Sequence, residues 1–117
     1  MVNTWELEPG DQFERDIKRM AKRYPREVKQ MYTNLMDYLA NLNQCDNPLL
    51  MAHFSYVHRE TSGCHAITQQ PLKSAAQTRL YIYAYAMDHL IHLICVGDKQ
   101  SQQKDNEFCR QYVRNLK

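Results

Sequence analysis

Arg79, Tyr81, Tyr83 and Tyr85 occupy every second position of one short stretch, and the residues between and after them, Leu80, Ile82, Ala84 and Ala86, are all apolar. That alternation marks a strand with one face in a core and the other open. The apolar run Leu90–Val96 follows Met87-Asp88, so the two segments read as a β-hairpin ending on a Gly97-Asp98-Lys99 corner. A two-residue turn at Met87-Asp88 sets Ala84 opposite Ile91, Ile82 opposite Leu93 and Leu80 opposite Cys95, all on the apolar face. It also sets Tyr83 opposite His92 and Arg79 opposite Val96 on the other face, and a slip of one residue would flip every side chain. The open face then joins three chemistries. Arg79 offers a bidentate fork to two phosphate oxygens. His92 carries an imidazole, the side chain suited to moving a proton near neutral pH. Tyr83 and Tyr85 offer rings on which bases stack, at about 1–3 kcal/mol per base. Together they suit RNA.

Each of these residues also has a structural alternative. Tyr83 and Tyr85 can cover the edge of the core under a loop, and His92 can be a hydrogen-bonded strand histidine. Arg79 can pair with Asp98 or Asp105, and Lys99 can compensate Asp98. His53, His58 and His65 fall in the least legible part of the chain and are given no role.

A chain of 117 residues fits one compact domain, large enough to bury about two-thirds of its unfolded surface. It has no apolar run of membrane-spanning length, and its start, Met1-Val2-Asn3-Thr4-Trp5-Glu6, is polar and acidic rather than signal-like. The expected compartment is the cytoplasm. Cys45, Cys64, Cys95 and Cys109 contain no CxxC pair and read as reduced thiols. The spacing of Cys64-His65 with His53 and His58 matches no usual zinc pattern, so neither metal nor other cofactor is expected. Formal net charge is only +2, but Arg15, Lys18, Arg19, Lys22, Arg23, Arg26 and Lys29 face only Asp16 and Glu27 within residues 15–29, an excess of five positive charges. Such a run is either a solvated helix face or a surface for phosphates or an acidic partner.

The elements that would position the site follow from local pattern. Trp5-Glu6-Leu7 before Pro9-Gly10 predicts a short first strand, and Asp11 a helix cap. Phe13, Ile17, Met20, Ala21 and Tyr24 predict a helix from about Gln12 to Tyr24, halted by Pro25. Pro25 opens a second helix with the stripe Val28, Met31, Tyr32, Leu35, Leu39 and Leu42, which makes an αα-hairpin. Residues 43–73 are weakly patterned: Asn47-Pro48 marks a turn, Leu50–Val57 fits a strand or a helical turn, and Cys64–Thr68 a short strand. Ser101 or Asp105 can cap a last helix that turns Phe108, Cys109, Tyr112, Val113 and Leu116 inward. The order implies an α+β domain with the αα-hairpin packed on one face of a small, mainly antiparallel sheet, the other face remaining available.

In this order and in certain residues the chain resembles the RelE/ParE superfamily of toxins from bacterial type II toxin–antitoxin systems. The residues that carry the likeness are Phe13-Glu14-Arg15-Asp16-Ile17-Lys18 and Lys22-Arg23-Tyr24-Pro25, Pro71-Leu72-Lys73, Arg79-Leu80-Tyr81, and Gly97-Asp98-Lys99 followed by Gln102-Gln103-Lys104-Asp105. The resemblance implies a single RelE-like domain. It implies an mRNA endoribonuclease that works at or near the ribosome, without a metal, through attack of the ribose 2′-hydroxyl on the neighbouring phosphate, and so inhibits translation and arrests growth. A cognate antitoxin would hold it inactive. Carried onto this chain, Arg79 matches the strand arginine that stabilises charge at the scissile phosphate. Lys73 matches the lysine of the preceding loop, Lys99 the basic residue after the last strand, and Tyr81 and Tyr83 a stacking or proton-handling aromatic. The expected catalytic set is Arg79, His92, Tyr81 and Lys99, with RNA held by Lys73, Tyr83, Tyr85 and Lys104. The antitoxin would sit on Arg15, Lys18, Arg19, Lys22 and Arg23. Two other implications stay open: a ParE-like gyrase poison with no catalysis, and a non-catalytic module that only binds an antitoxin. The chain lacks the dense lysine and arginine run of the best-known ribosome-dependent members.

Overall fold

The computed structural model describes residues 4–117, so the Met1–Asn3 part of the polar start lies outside the described residues. The elements run β1 (Glu6–Pro9), α1 (Asp11–Arg23), α2 (Pro25–Cys45), a 3₁₀ helix (Pro48–His53), β2 (Val57–Arg59), a 3₁₀ turn (Thr61–Gly63), β3 (His65–Thr68), β4 (Thr78–Tyr85), β5 (Leu90–Asp98) and α3 (Gln102–Leu116). The strands form one mixed sheet in the order β1-β5-β4-β3-β2. Among the described residues only the β1–β5 pair is parallel. The chain is therefore an α+β protein with an αα-hairpin and a C-terminal helix.

Pro25 makes the α1–α2 corner sharp: it sits at the first position of α2, and Tyr24 both ends α1 and precedes α2. The α1 start corrects one expectation. Gly10 holds the cap position and Asp11 is already helical, with no side-chain cap. Phe13 and Met20 of α1 with Val28, Met31, Leu35 and Leu42 of α2 pack on Leu80, Ile82, Ile91, Leu93 and Val96. Tyr32, placed in the α2 stripe by spacing, is exposed instead, and Tyr38 is buried in the stripe with Asn34. Asn34 earns burial by donating from Nδ2 to the carbonyls of Thr68 (2.8 Å) and Gln70 (2.7 Å), which ties α2 to the end of β3.

The hairpin register holds at its tip and changes at its base. Ala84 faces Ile91, Tyr83 faces His92 and Ile82 faces Leu93, across a turn of residues 86–89 in which His89 takes a positive φ of 56°. Between Tyr81 and Ile82 the pairing jumps, so Tyr81 faces Cys95 and Ile94 is an extra residue in β5. This β-bulge turns Cys95 away from the Leu80 face; Leu80 meets Val96, and Arg79 meets Gly97 rather than Val96. Asp16 anchors the bulge from α1, its Oδ2 accepting from the Val96 N–H at 3.1 Å.

The sheet face opposite the αα-hairpin, expected to remain available, is covered. Helix α3 lies across it, and Tyr81, Ile94, Cys95, Cys64, Ala66, Cys109 and Val113 form a second apolar cluster there. The helix can come close because Gly97 has no side chain: a Cβ there would lie 2.1 Å from Asp105 Oδ2 and 2.3 Å from Ser101 Oγ. Ser101 takes the cap position of α3, and Phe108, expected inward, is exposed. Among the described residues no helix is long and apolar enough to cross a membrane.

Candidate functional site

Covering by α3 disperses the expected catalytic set. Tyr81 is fully buried, its hydroxyl has no hydrogen-bond partner, and burial pushes its ionisation up. His92 is also buried, with Nδ1 3.0 Å from the Tyr112 hydroxyl and Nε2 2.9 Å from Asp88 Oδ2, so both ring nitrogens are occupied. It stands four β4 positions from Arg79, roughly 13 Å along the strand, too far for the two to share one phosphate. The shared active face of Arg79, Tyr81 and His92 is thereby corrected: His92 and Tyr81 belong to the packing under α3. Lys99 is exposed just beyond β5. Lys104 lines a cavity of about 400 Å³ that also holds Asp16, Asp98 and Asp105. That cavity is rich in carboxylates and unsuited to RNA.

The end of β4 near Thr78 offers a different grouping. A cleft of about 270 Å³ opens between β2, the end of β3 and the loop 69–77, lined by His58, Lys73, Arg79 and the amides of Gln69, Gln70 and Gln77. No carboxylate lines it. Pairing explains the meeting of cation and imidazole: Thr68 of β3 faces Arg79, Ala66 faces Tyr81, and His58 of β2 faces Ala66, so His58 and Arg79 share one sheet face. The loop is held by buried polar bonds. Gln69 Oε1 accepts from the Thr78 backbone N–H (2.8 Å) and hydroxyl (2.9 Å), and its Nε2 donates to the Ala76 carbonyl at 2.7 Å. Ser74 donates to the Glu27 carboxylate, which that bond holds below its ordinary range. Lys73 and His58 are both exposed at the rim.

Arg79 is not free in this cleft. Its NH1 donates to Glu60 Oε1 at 3.2 Å, and the two side chains are 12% and 7% exposed. Glu60 also accepts from Gln102 Nε2 of α3 at 3.0 Å. The ion pair foreseen as an alternative exists, with Glu60 in place of Asp98 or Asp105. The Arg79 Nε–H is buried without a hydrogen-bond partner, so one edge of the guanidinium is unsatisfied.

Sequence reasoning assigned Lys73 and Arg79, which the fold brings together, and passed over His58. Only the three-residue strand Val57–Arg59 aims His58 at this cleft, and so short a strand leaves no periodicity to read. Tyr83 and Tyr85 lie at the other, hairpin end of β4. Arg15, Lys18, Arg19, Lys22 and Arg23 are all exposed on α1, with Arg19 bound to Asp16 at 3.1 Å and Arg23 over the Tyr24 ring. Cys64, Cys95 and Cys109 are buried free thiols and Cys45 is exposed. Among the described residues no group of three or more His, Cys, Asp or Glu side chains is arranged to hold a metal ion. No protein-family model matches the chain, and neither a curated protein nor a solved structure matches it.

Proposed function

We propose that this chain is a RelE-like cytoplasmic toxin that cleaves mRNA without a metal and is neutralised by a cognate antitoxin. The observation that carries the reading is the carboxylate-free cleft in which His58, Lys73 and Arg79 converge. Metal-free cleavage needs a base for the 2′-hydroxyl, a cation at the phosphorane and a proton for the leaving 5′-oxygen. In this reading the 2′-oxygen attacks phosphorus as His58 takes its proton, and the P–O5′ bond breaks as the 5′-oxygen takes a proton from water. The products are a 2′,3′-cyclic phosphate and a 5′-hydroxyl. Arg79 and Lys73 neutralise the charge that builds on the non-bridging oxygens. His58 thus takes the part first expected of His92, Arg79 keeps its own, and Lys73, expected only to hold RNA, takes the charge-neutralising part expected of Lys99. The exposed basic face of α1 remains the proposed antitoxin seat, and translating ribosomes the proposed location of the substrate.

A second reading draws on the Glu60 pair. Since Arg79 is neutralised by Glu60 in the free protein, the chain would instead be a non-catalytic binder, either a ParE-like gyrase poison or a module for an antitoxin alone. Incubation of purified protein with single-stranded RNA in EDTA separates the two. Cyclic-phosphate ends are expected, with rates falling about a hundred- to a thousandfold in Lys73→Ala and Arg79→Ala per folded molecule. His58→Ala should also flatten one limb of the pH–rate profile. No cleavage with RNA alone or with ribosomes, together with gyrase-linked DNA breaks on expression, would establish the second reading.

A further inference from the structure

The hairpin end of the sheet carries a second concave surface that the cleavage chemistry does not use. The Tyr83 ring divides two depressions of about 490 Å³ and 400 Å³. One is lined by Arg110, Arg114 and Lys117 of the α3 end, the other by His65, Tyr85 and Met87. Neither has a carboxylate in its lining. Tyr83 and Tyr85 stand with ring centroids 5.5 Å apart at 33°, and Lys117 Nζ lies 5.8 Å from the Tyr83 centroid. Gly63 fixes this ring from behind: at φ 81° it needs no Cβ, and a Cβ there would come within 3.3 Å of Tyr83 Cε1. Arg110 is already engaged, its Nε donating to Thr61 and its NH1 to Glu107, whereas Arg114 and Lys117 are exposed.

We propose that Tyr83, Tyr85, Arg114 and Lys117 form a nucleotide subsite, which stacks a base of single-stranded RNA and takes the adjoining phosphate. The inference rests on the ribonuclease reading and adds a second point of attachment on the same strand. Stacking rings and cations give a sequence-tolerant site, since every base has a π-face. Tyr83 stands roughly 13 Å from Arg79 along β4, with α3 packed over Tyr81 between them, so a strand that joins the two sites passes around the helix and needs more than about four nucleotides at the rise of a stacked strand. A dinucleotide therefore reaches one site only, and an octanucleotide reaches both.

The test is fluorescence anisotropy of end-labelled oligouridine, dinucleotide against octanucleotide, at several salt concentrations. A 2′-deoxy residue at each position stops cleavage. For the octamer, Tyr83→Ala and Tyr85→Ala should each weaken binding roughly fivefold or more. Arg114→Gln with Lys117→Gln should flatten the slope of log affinity against log salt by about 1.4, or 0.7 per cation removed. Dinucleotide binding in the Arg79 cleft should not change. Octamer affinity and salt slope unaltered in all these variants would overturn the subsite while leaving the Arg79 cleft standing. Binding lost in the tyrosine variants but indifferent to Arg79→Ala and Lys73→Ala would keep the subsite and sink the cleft. Failure of the wild-type protein to bind the octamer would sink both. Should Tyr83→Ala not fold, the exposed Arg114 and Lys117 pair decides.

Discussion

Arg79 has two tasks that pull in different directions. Its pair with Glu60 is nearly dry, so removing the arginine alone leaves a buried carboxylate held only by Gln102. Arg79→Ala should therefore cost about 3 kcal/mol in urea unfolding, the lower end for a buried pair broken on one side. Glu60→Gln with Arg79→Ala should recover most of that, because no lone charge is then left. Glu60→Gln alone should tighten RNA binding by freeing the guanidinium; unchanged affinity would mean that Arg79 never meets the phosphate. Asp105 supplies a pH-dependent counterpart. Burial first, and then the nearby Asp16 and Asp98 carboxylates, raise its pKa above 3.8, against the lowering effect of the Ser101 hydroxyl. A carboxyl that holds its proton longer folded than unfolded makes the folded state bind more protons just above pH 3.8, so stability falls as pH rises through that window. Asp105→Asn should remove this fall and leave the protein more stable at pH 7, as measured by melting temperature across the range. A variant less stable at pH 7 would show that the Ser101 bond outweighs the burial.

The elements show which parts of the fold are legible locally and which are not. Pro25, the stripe Val28–Leu42 and the alternation Leu80–Ala84 each encode their element in adjacent residues, and those elements form as read. The hairpin tip is equally local, with Tyr83 facing His92 as the spacing requires. The bulge at Ile94 is not local: it is held by Asp16, 80 residues away in sequence, donating nothing and accepting the Val96 N–H. An unbroken apolar run gives no hint of where an extra residue enters it. That one residue moved Cys95 to the α3 face and set Gly97 opposite Arg79. The prediction at this scale is that Asp16→Ala costs about 1–3 kcal/mol, the penalty for leaving a buried donor unsatisfied. Hydrogen exchange should quicken at Val96 before it does at Ile91, on the unbulged part of β5. Equal protection at both sites would show that the bulge holds without its α1 anchor.

At the scale of the molecule, the decisive feature is that the sheet is sandwiched. The period-two pattern of β4 correctly separated two faces, but an amphipathic last helix can either leave the sheet or lie across it, and nothing in its own residues says which. Tyr81, expected in the catalytic set, and Cys109, expected on the inner face of the last helix, belong to one cluster. With α3 across the sheet, the candidate chemistry is displaced to the two ends of the covering helix: Arg79 beside Gln102 at one and Tyr83 beside Arg114 and Lys117 at the other. The same covering sorts the four thiols, because Cys64 and Cys95 lie under α3, Cys109 is on its buried face, and Cys45 is exposed at the end of α2. Contact with Cys109 and burial push the Cys64 thiol far above its usual range, which further slows its reaction as a thiolate. Titration with an aromatic disulfide should therefore show one fast-reacting thiol, abolished in Cys45→Ser. The other three should react together, at a rate that rises with urea as the molecule opens. Their reaction without urea, at the pace of Cys45, would mean that α3 lifts from the sheet in the native protein, exposing the face of Tyr81 and His92 after all.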